Sequence, residues 1–522
     1  MVKFIPAQEA VGLIRDNATV GVGGFGAYCG ADELFVALAE RFKETRHPAN
    51  ITIVAGICTG DNSREPRGLN RLAEPGLIGT VFAAHLANPP LISEMVGGNR
   101  VPGYTLPLGV ILHLFRAIAG KKPGVLTHVG LNTFADPRVE GCKANDLARA
   151  QNREVVELVN IGGKECLFYP SFNMDVCLIR GTYADEDGNI SMDHEALMGP
   201  ELELAAAVHN CGGIVICQVE EIVLRGTIHP KRVRIHNSLV DYVVKATPQL
   251  HRQGYATDAY RPELSGELRC PANAIKPMEL SIRKVIARRA AMELRPDMVI
   301  NLGIGIPSGV GSVANEENIA GQLTLSLESG PIGGVPVEGV GFAAAVNPES
   351  ICNICDMLDC YDGGLLSMTC LGSAEIDENG NVNVSRFGIR CTGPGGFINI
   401  SQTTPKVCFL GAFTAGKCDV EIKDGSMNIK ADGTGIKFIK KVQQITFSAD
   451  YARKTSQDIM YITERAVFRL VEGGIMLTEI APGIDLQKDI LDKMEFKPLI
   501  AKELKTMDER IFRVEKMGLR LN

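Results

Sequence analysis

The chain has 522 residues, 45% hydrophobic and 22% charged, with 56 glycines, 26 prolines and no tryptophan. At ~100–200 residues per domain this length predicts two to four domains, and the apolar fraction excludes a disordered chain. The 54 basic against 61 acidic side chains leave a net charge of −7 with no basic block, which argues against nucleic acid or anionic lipid as a main partner. No apolar run reaches the ~18–20 uninterrupted residues of a membrane span. The opening Met1-Val2-Lys3-Phe4-Ile5-Pro6 has neither the apolar run nor the cleavage site of a signal peptide, so a cytoplasmic protein is expected. The 15 cysteines read as reduced, small hydrophobes. Cys352-x-x-Cys355, with Cys360 and Cys370, lacks the second close pair or the histidine pair of a structural zinc site, so no metal is expected.

In chain order, short apolar runs alternate with helical patterns, as in a parallel α/β fold. Thr19–Val22 reads as a strand, Glu33–Lys43 as a helix with Leu34, Val36, Leu38 and Phe42 on its apolar positions, and Ile51–Val54 as the next strand. Gly213–Cys217, Met298–Leu302 and Lys406–Leu410 follow the same pattern. The halves echo each other. Asp16-Asn17-Ala18-Thr19-Val20 leads into Gly21-Val22-Gly23, and Asp297-Met298-Val299-Ile300-Asn301-Leu302 into Gly303-Ile304-Gly305. Asp185–Ile190 is matched by Asp377–Val382, each carrying an Asp-Gly or Asn-Gly hairpin turn. Residues 247–277 are polar, Pro-bearing and non-periodic. They predict a linker between a domain at 1–246 and a second at 278–522, with a site where two related units face each other.

All nine histidines precede residue 252, so chemistry centred on the second half is expected to work without imidazole. Gly21-Val22-Gly23-Gly24-Phe25-Gly26 is formally Gly-x-Gly-x-x-Gly after a strand. The next strand, ending Val54-Ala55-Gly56-Ile57, lacks the acidic residue of a dinucleotide site, which leaves an NAD-dependent oxidoreductase a remote alternative. Leu323–Leu327 is a strand ending in Glu328-Ser329-Gly330-Pro331, a way to present one carboxylate nucleophile beside backbone donors. By itself this string reads better as a solvated turn glutamate.

The wider string resembles the family I coenzyme A transferases, of the long single-chain acetate/propionate type, over essentially the whole chain. Ser326-Leu327-Glu328-Ser329-Gly330 is similar to the family's catalytic-glutamate motif, and Gly21–Gly26 to its N-terminal glycine turn. Leu371-Gly372-Ser373-Ala374-Glu375 and Thr392-Gly393-Pro394-Gly395-Gly396-Phe397 are similar to its second-half signatures. The resemblance implies two fused, subunit-like α/β domains that move CoA from an acyl-CoA to a carboxylic acid. CoA is then a substrate, with no cofactor, and the chain forms a homo-oligomer, a dimer or tetramer. It implies Glu328 as nucleophile, Gly395, Gly396 and Gly330 at the oxyanion and CoA side, and an acyl pocket at Gly24, Phe25, Gly26, Tyr28 and Glu33. Two strings depart from the pattern. Cys29-Gly30-Ala31-Asp32 lacks a usual proline, and Leu108, in Leu106-Pro107-Leu108-Gly109-Val110, replaces a usual glutamine. Placing Leu108 in the acyl pocket predicts a preference for acids bulkier or more unsaturated than acetate. An acyl-CoA hydrolase of the same fold is the nearer alternative, and a non-catalytic CoA-binding protein would not need Glu328.

Overall fold

The computed structural model describes residues 1–271 and 277–521. The first half is built on an eight-stranded, all-parallel sheet. Its order is Lys3–Phe4, Tyr242–Lys245, Ile214–Val223, Val176–Asp185, Thr19–Phe25, Ile51–Ile57, Ile78–His85 and Gly103–Thr105. The second half holds a ten-stranded mixed sheet. At its centre Thr324–Ser326, Val299–Leu302, Met368–Gly372, Lys406–Leu410 and Asp458–Ile462 run parallel. These central strands are nearly continuous apolar runs because both faces are covered. One hydrophobic core carries residues of both halves, from Phe25 and Leu108 to Phe397 and Phe409.

The internal echo is structural. Asn17 and Asp297, each two residues before its strand, are left-handed at φ 60° and 62°. Val20 then lies opposite Val176, and Ile300 opposite Met368. Further on, Asp185 accepts the N–H groups of Asp187 and Asn189, and Asp377 those of Asn379 and Asn381, all at 2.9–3.1 Å. Both are one carboxylate-capped turn.

The segment expected to be a linker is no free tether. Residues 272–276 of it lie outside the described residues, but the rest is bonded to both halves. Arg180 donates to Arg252 O at 2.6 Å, and Tyr255 N to Ala27 O at 3.0 Å. Cys270 and Asn347 exchange two hydrogen bonds of 2.8 Å. The four clustered cysteines also divide: Cys355 and Cys370 are buried, Cys352 is half-buried, and Cys360 is exposed on the helix Ile354–Asp362. No described helix is long and apolar enough to cross a membrane.

Candidate active site

Parallel strands of one sheet share a direction, so their C-terminal ends gather on one edge, where α/β proteins place ligands. The two sheets bring these edges together. The turn Thr392–Phe397 of the second half is stitched to the first: Leu86 N donates to Thr392 O (2.7 Å), Gly395 N to Ala84 O (2.9 Å) and Leu108 N to Gly395 O (3.0 Å). Gly393 and Gly395 take positive φ of 74° and 54°, and a Cβ on Gly393 would stand 2.4 Å from Ala84 O. Glycine is required where two backbones approach this closely.

Between the sheets lies a cavity of about 340 Å³. Phe25, Gly26, Ile57, His85 and Asn88 line it from the first half; Glu328, Phe342, Leu371, Gly395, Gly396, Phe397 and Ile400 line it from the second. Glu328 is the one carboxylate among the described lining residues. It sits where the strand Thr324–Ser326 folds back, Leu327 N donating to Pro331 O at 2.9 Å and Gly330 N to Leu327 O at 3.0 Å. The side chain is 9% exposed. Burial raises its carboxyl above the ordinary range, against its own backbone N–H and Asn301, which favour the charged form.

Asn301 was not foreseen. On Val299–Leu302 it stands between Ser326 and Thr369 of the flanking strands, a polar row across an apolar sheet. Its Nδ2 donates to Glu328 Oε2 at 3.4 Å, and its Oδ1 accepts from Thr369 Oγ1 at 3.1 Å. The only clue in the sequence is one buried-type position of a strand occupied by an amide.

Phe25, Gly26, Glu328, Gly395 and Gly396 thus share one cavity, while the other candidates stand behind or beside it. Gly395 packs against the site but spends its N–H on Ala84. Gly396, at the N-terminus of Phe397–Thr403, lies so close that a Cβ would meet Glu328 Cγ at 3.2 Å. Gly330 (φ 119°) makes the turn; a Cβ there would strike Cys352 O at 2.2 Å. Gly24 donates to Glu201 Oε1 at 3.1 Å in a second layer. Tyr28 donates to Gly341 O at 2.8 Å, pinning the segment that carries Phe342.

Glu33 and Leu108 correct the expected acyl pocket. The helix Asp32–Thr45 begins seven residues beyond Phe25, which carries Glu33 away to Thr247, whose N and Oγ1 both donate to it at 2.9 Å. That gap also separates the glycine turn from the helix N-terminus a dinucleotide pyrophosphate would need. Leu108 opens the helix Leu108–Ala119 fully buried, its Cδ1 3.2 Å from where a Gly56 Cβ would be. It is core beneath the wall.

His85 is the converse case. Though no histidine follows residue 251, docking brings this one, at the end of Ile78–His85, into the cavity beside Gly395. Burial lowers its pKa to about 4. No group of three or more His, Cys, Asp or Glu is arranged to hold a metal among the described residues.

A coenzyme A transferase family model matches residues 4–246. The caffeate CoA-transferase of Acetobacterium woodii is 47% identical, over 99% of each chain. The chain belongs to the coenzyme A transferase family. The acetate CoA-transferase YdiF of Escherichia coli K12 is 42% identical over 99% of this chain and 96% of its own. The crystal structure of the YdiF apoenzyme from E. coli O157:H7 superposes with a TM-score of 0.94 at 41% identity, covering 100% of this chain and 98% of that one. A structure described as the thioester complex of that relative with CoA superposes at 0.93. This CoA-transferase therefore has the two-domain α/β fold of its family, and acts on acyl-CoA and carboxylic acid substrates.

Proposed function

We propose that Glu328 is the nucleophile of a ping-pong exchange. A carboxylate oxygen attacks the thioester carbonyl of acyl-CoA, giving an acyl-glutamyl anhydride and CoA thiolate. The thiolate attacks the glutamyl carbonyl, forming a Glu328–CoA thioester and releasing the first acid. The second acid reverses both steps. The observation that carries this reading is a lone, nearly buried carboxylate in a cavity shared by the two sheets. No proton is transferred, so neither metal nor redox cofactor has a task. The Gly396 N–H is the proposed oxyanion donor, a contribution of ~3–4 kcal/mol where such donors have been removed.

We further propose that the preferred acids carry an apolar or unsaturated tail larger than acetate, with short-chain acids also accepted. Ile57, Phe342, Leu371, Phe397 and Ile400 support this, as does the relative named for caffeate; Leu108 no longer does. The same reading includes a cytoplasmic location and assembly of identical chains, a dimer or tetramer; exposed Leu126, Leu158 and Ile161 on a small antiparallel sheet support the assembly. The test offers one acyl-CoA donor acetate, propionate, butyrate and phenylpropenoate, with products weighed by mass spectrometry. Higher kcat/KM for the larger acids is expected; a ranking headed by acetate overturns the tail assignment. Loss of transfer in Glu328→Ala is expected, and an active variant overturns the mechanism.

A further inference from the structure

Most of the cavity wall is apolar, but the end of the strand Ile78–His85 adds two polar side chains that the transfer chemistry does not use. His85 Nδ1 lies 3.2 Å from Asn88 Oδ1. An amide oxygen only accepts, so Nδ1 is the protonated nitrogen. Burial keeps the ring neutral, which leaves Nε2 a bare acceptor. The ring edge next to Nε2, at Cδ2, lies 3.8 Å from where a Cβ of Gly395 would stand, and Asn88 Nδ2 lies 3.5 Å from the corresponding point on Gly26. Both glycines line the cavity, as do His85 and Asn88 themselves. Among the described residues Nδ2 has no acceptor within hydrogen-bond distance. The wall thus shows an acceptor and a donor side by side on a mostly apolar lining, with Asn62 and Glu328 its other polar side chains.

A hydroxyl group both donates and accepts. A carbonyl or ether only accepts, and an extra carboxylate would bring its charge against a lone pair. Resting on the reading of this cavity as the acid site, we infer that His85 and Asn88 are a hydroxyl-recognition pair, so that the preferred acids are monocarboxylates bearing a hydroxyl on the tail. The hydroxyl donates to His85 Nε2 and accepts from Asn88 Nδ2. Sites that hydrogen-bond a substrate group discriminate far more strongly than apolar pockets, because the analogue lacking it leaves buried polar groups unpaired.

The test measures kcat/KM for acids in pairs that differ by one hydroxyl: propionate and 2-hydroxypropionate, butyrate and 3-hydroxybutyrate, phenylpropenoate and its 4-hydroxy derivative, with 2-oxopropionate as the acceptor-only control. The wild type is expected to favour the hydroxylated member of at least one pair by about ten-fold or more, and not to favour 2-oxopropionate over propionate. In His85→Leu and in Asn88→Leu that ratio is expected to fall towards one, with His85→Gln, which keeps an acceptor, restoring part of it. A ratio is insensitive to partial unfolding, which lowers both members equally. Ratios near one in every wild-type pair, a ratio unchanged in both leucine variants, or an equal gain for 2-oxopropionate would overturn the inference. Failure of the tail reading shows separately, as hydroxyl-free acids that all fall below acetate.

Discussion

The same register, read in the two halves, gives opposite surfaces. Thr19 lies opposite Thr52, and Val299 opposite Thr324; four residues on, the first sheet has Gly56 and the second Glu328. Asn301, beneath the carboxylate, corresponds in the same way to Gly21. A Cβ at Gly21 would meet Leu204 Cδ1 at 2.5 Å, and one at Gly56 would meet Leu112 and Leu108 at 3.1–3.2 Å. Leu204 stands as far beyond Asp185 as Gly396 beyond Asp377. One half has filled with leucine the space in which the other keeps a carboxylate and a bare glycine. The strand that follows also differs: Ile51–Ile57 continues into a parallel neighbour, whereas Thr324–Ser326 turns back antiparallel at Glu328. A buried carboxyl stands by the turn in each half. Glu201 is locked in the core, holding Gly24 with one oxygen while the other has no hydrogen-bond partner among the described residues; Glu328 opens on the cavity. A duplicated scaffold has been made asymmetric by packing alone.

The largest expected effect comes from erasing the asymmetric group. Glu328→Gln should lower transfer by at least ~10⁴-fold, the scale of losing a nucleophile, with a melting temperature no lower than wild type, because a buried carboxyl is removed. Next, Gly396→Leu writes the first half's residue into the second. Gly396 has φ −80°, so the backbone tolerates the change, and the side chain must displace Glu328. Turnover should fall at least ~100-fold; a nearly normal rate would break the equivalence with Leu204.

Asn301→Ala, which removes a group the first half lacks, should cost about ten-fold in kcat/KM, a charge-assisted hydrogen bond being worth ~1.5–3 kcal/mol at most. The proposed nucleophile, Glu328, must be ionised to attack, so its raised pKa should set the acidic limb of the pH–rate profile above the ordinary glutamate value. Without Asn301 that limb should move to still higher pH; an unmoved limb would separate Asn301 from the carboxylate. Glu201→Gln should alter stability more than rate. The Glu201 carboxyl is raised from 4.5 to about 7, chiefly by burial. The folded state therefore binds its proton more tightly than the unfolded chain, and stability falls as pH rises from ~4.5 to ~7. The full cost, about 3 kcal/mol, is present above that range and absent below it. Urea titrations should show Glu201→Gln stabilised at pH 8 relative to wild type and unchanged at pH 4.

The apolar runs placed the central strands within a few residues, because covered parallel strands leave a plain signal. The repeated Asp turns were legible for the same reason, since each depends on local chemistry; Glu328 stood out only through the motif it resembles, because its own string reads more readily as an ordinary turn. Leu108 and Glu33 were misplaced because motif order says nothing of where a helix start points. His85 and Asn301 were missed for different reasons. His85 reaches the cavity only when the two sheets dock, and Asn301 acts through neighbours on strands distant in sequence. The segment 247–271 is polar in composition yet clamped, since its contacts are backbone hydrogen bonds that composition does not register.

The central claim, that the second-half turn carries the covalent intermediate, is tested most directly by trapping it. The protein is incubated with acyl-CoA, quenched with hydroxylamine, digested and sequenced by mass spectrometry. A hydroxamate confined to Glu328, and absent without acyl-CoA, is the expected result. An adduct on a cysteine such as Cys360, or none on Glu328 while transfer proceeds, would contradict it.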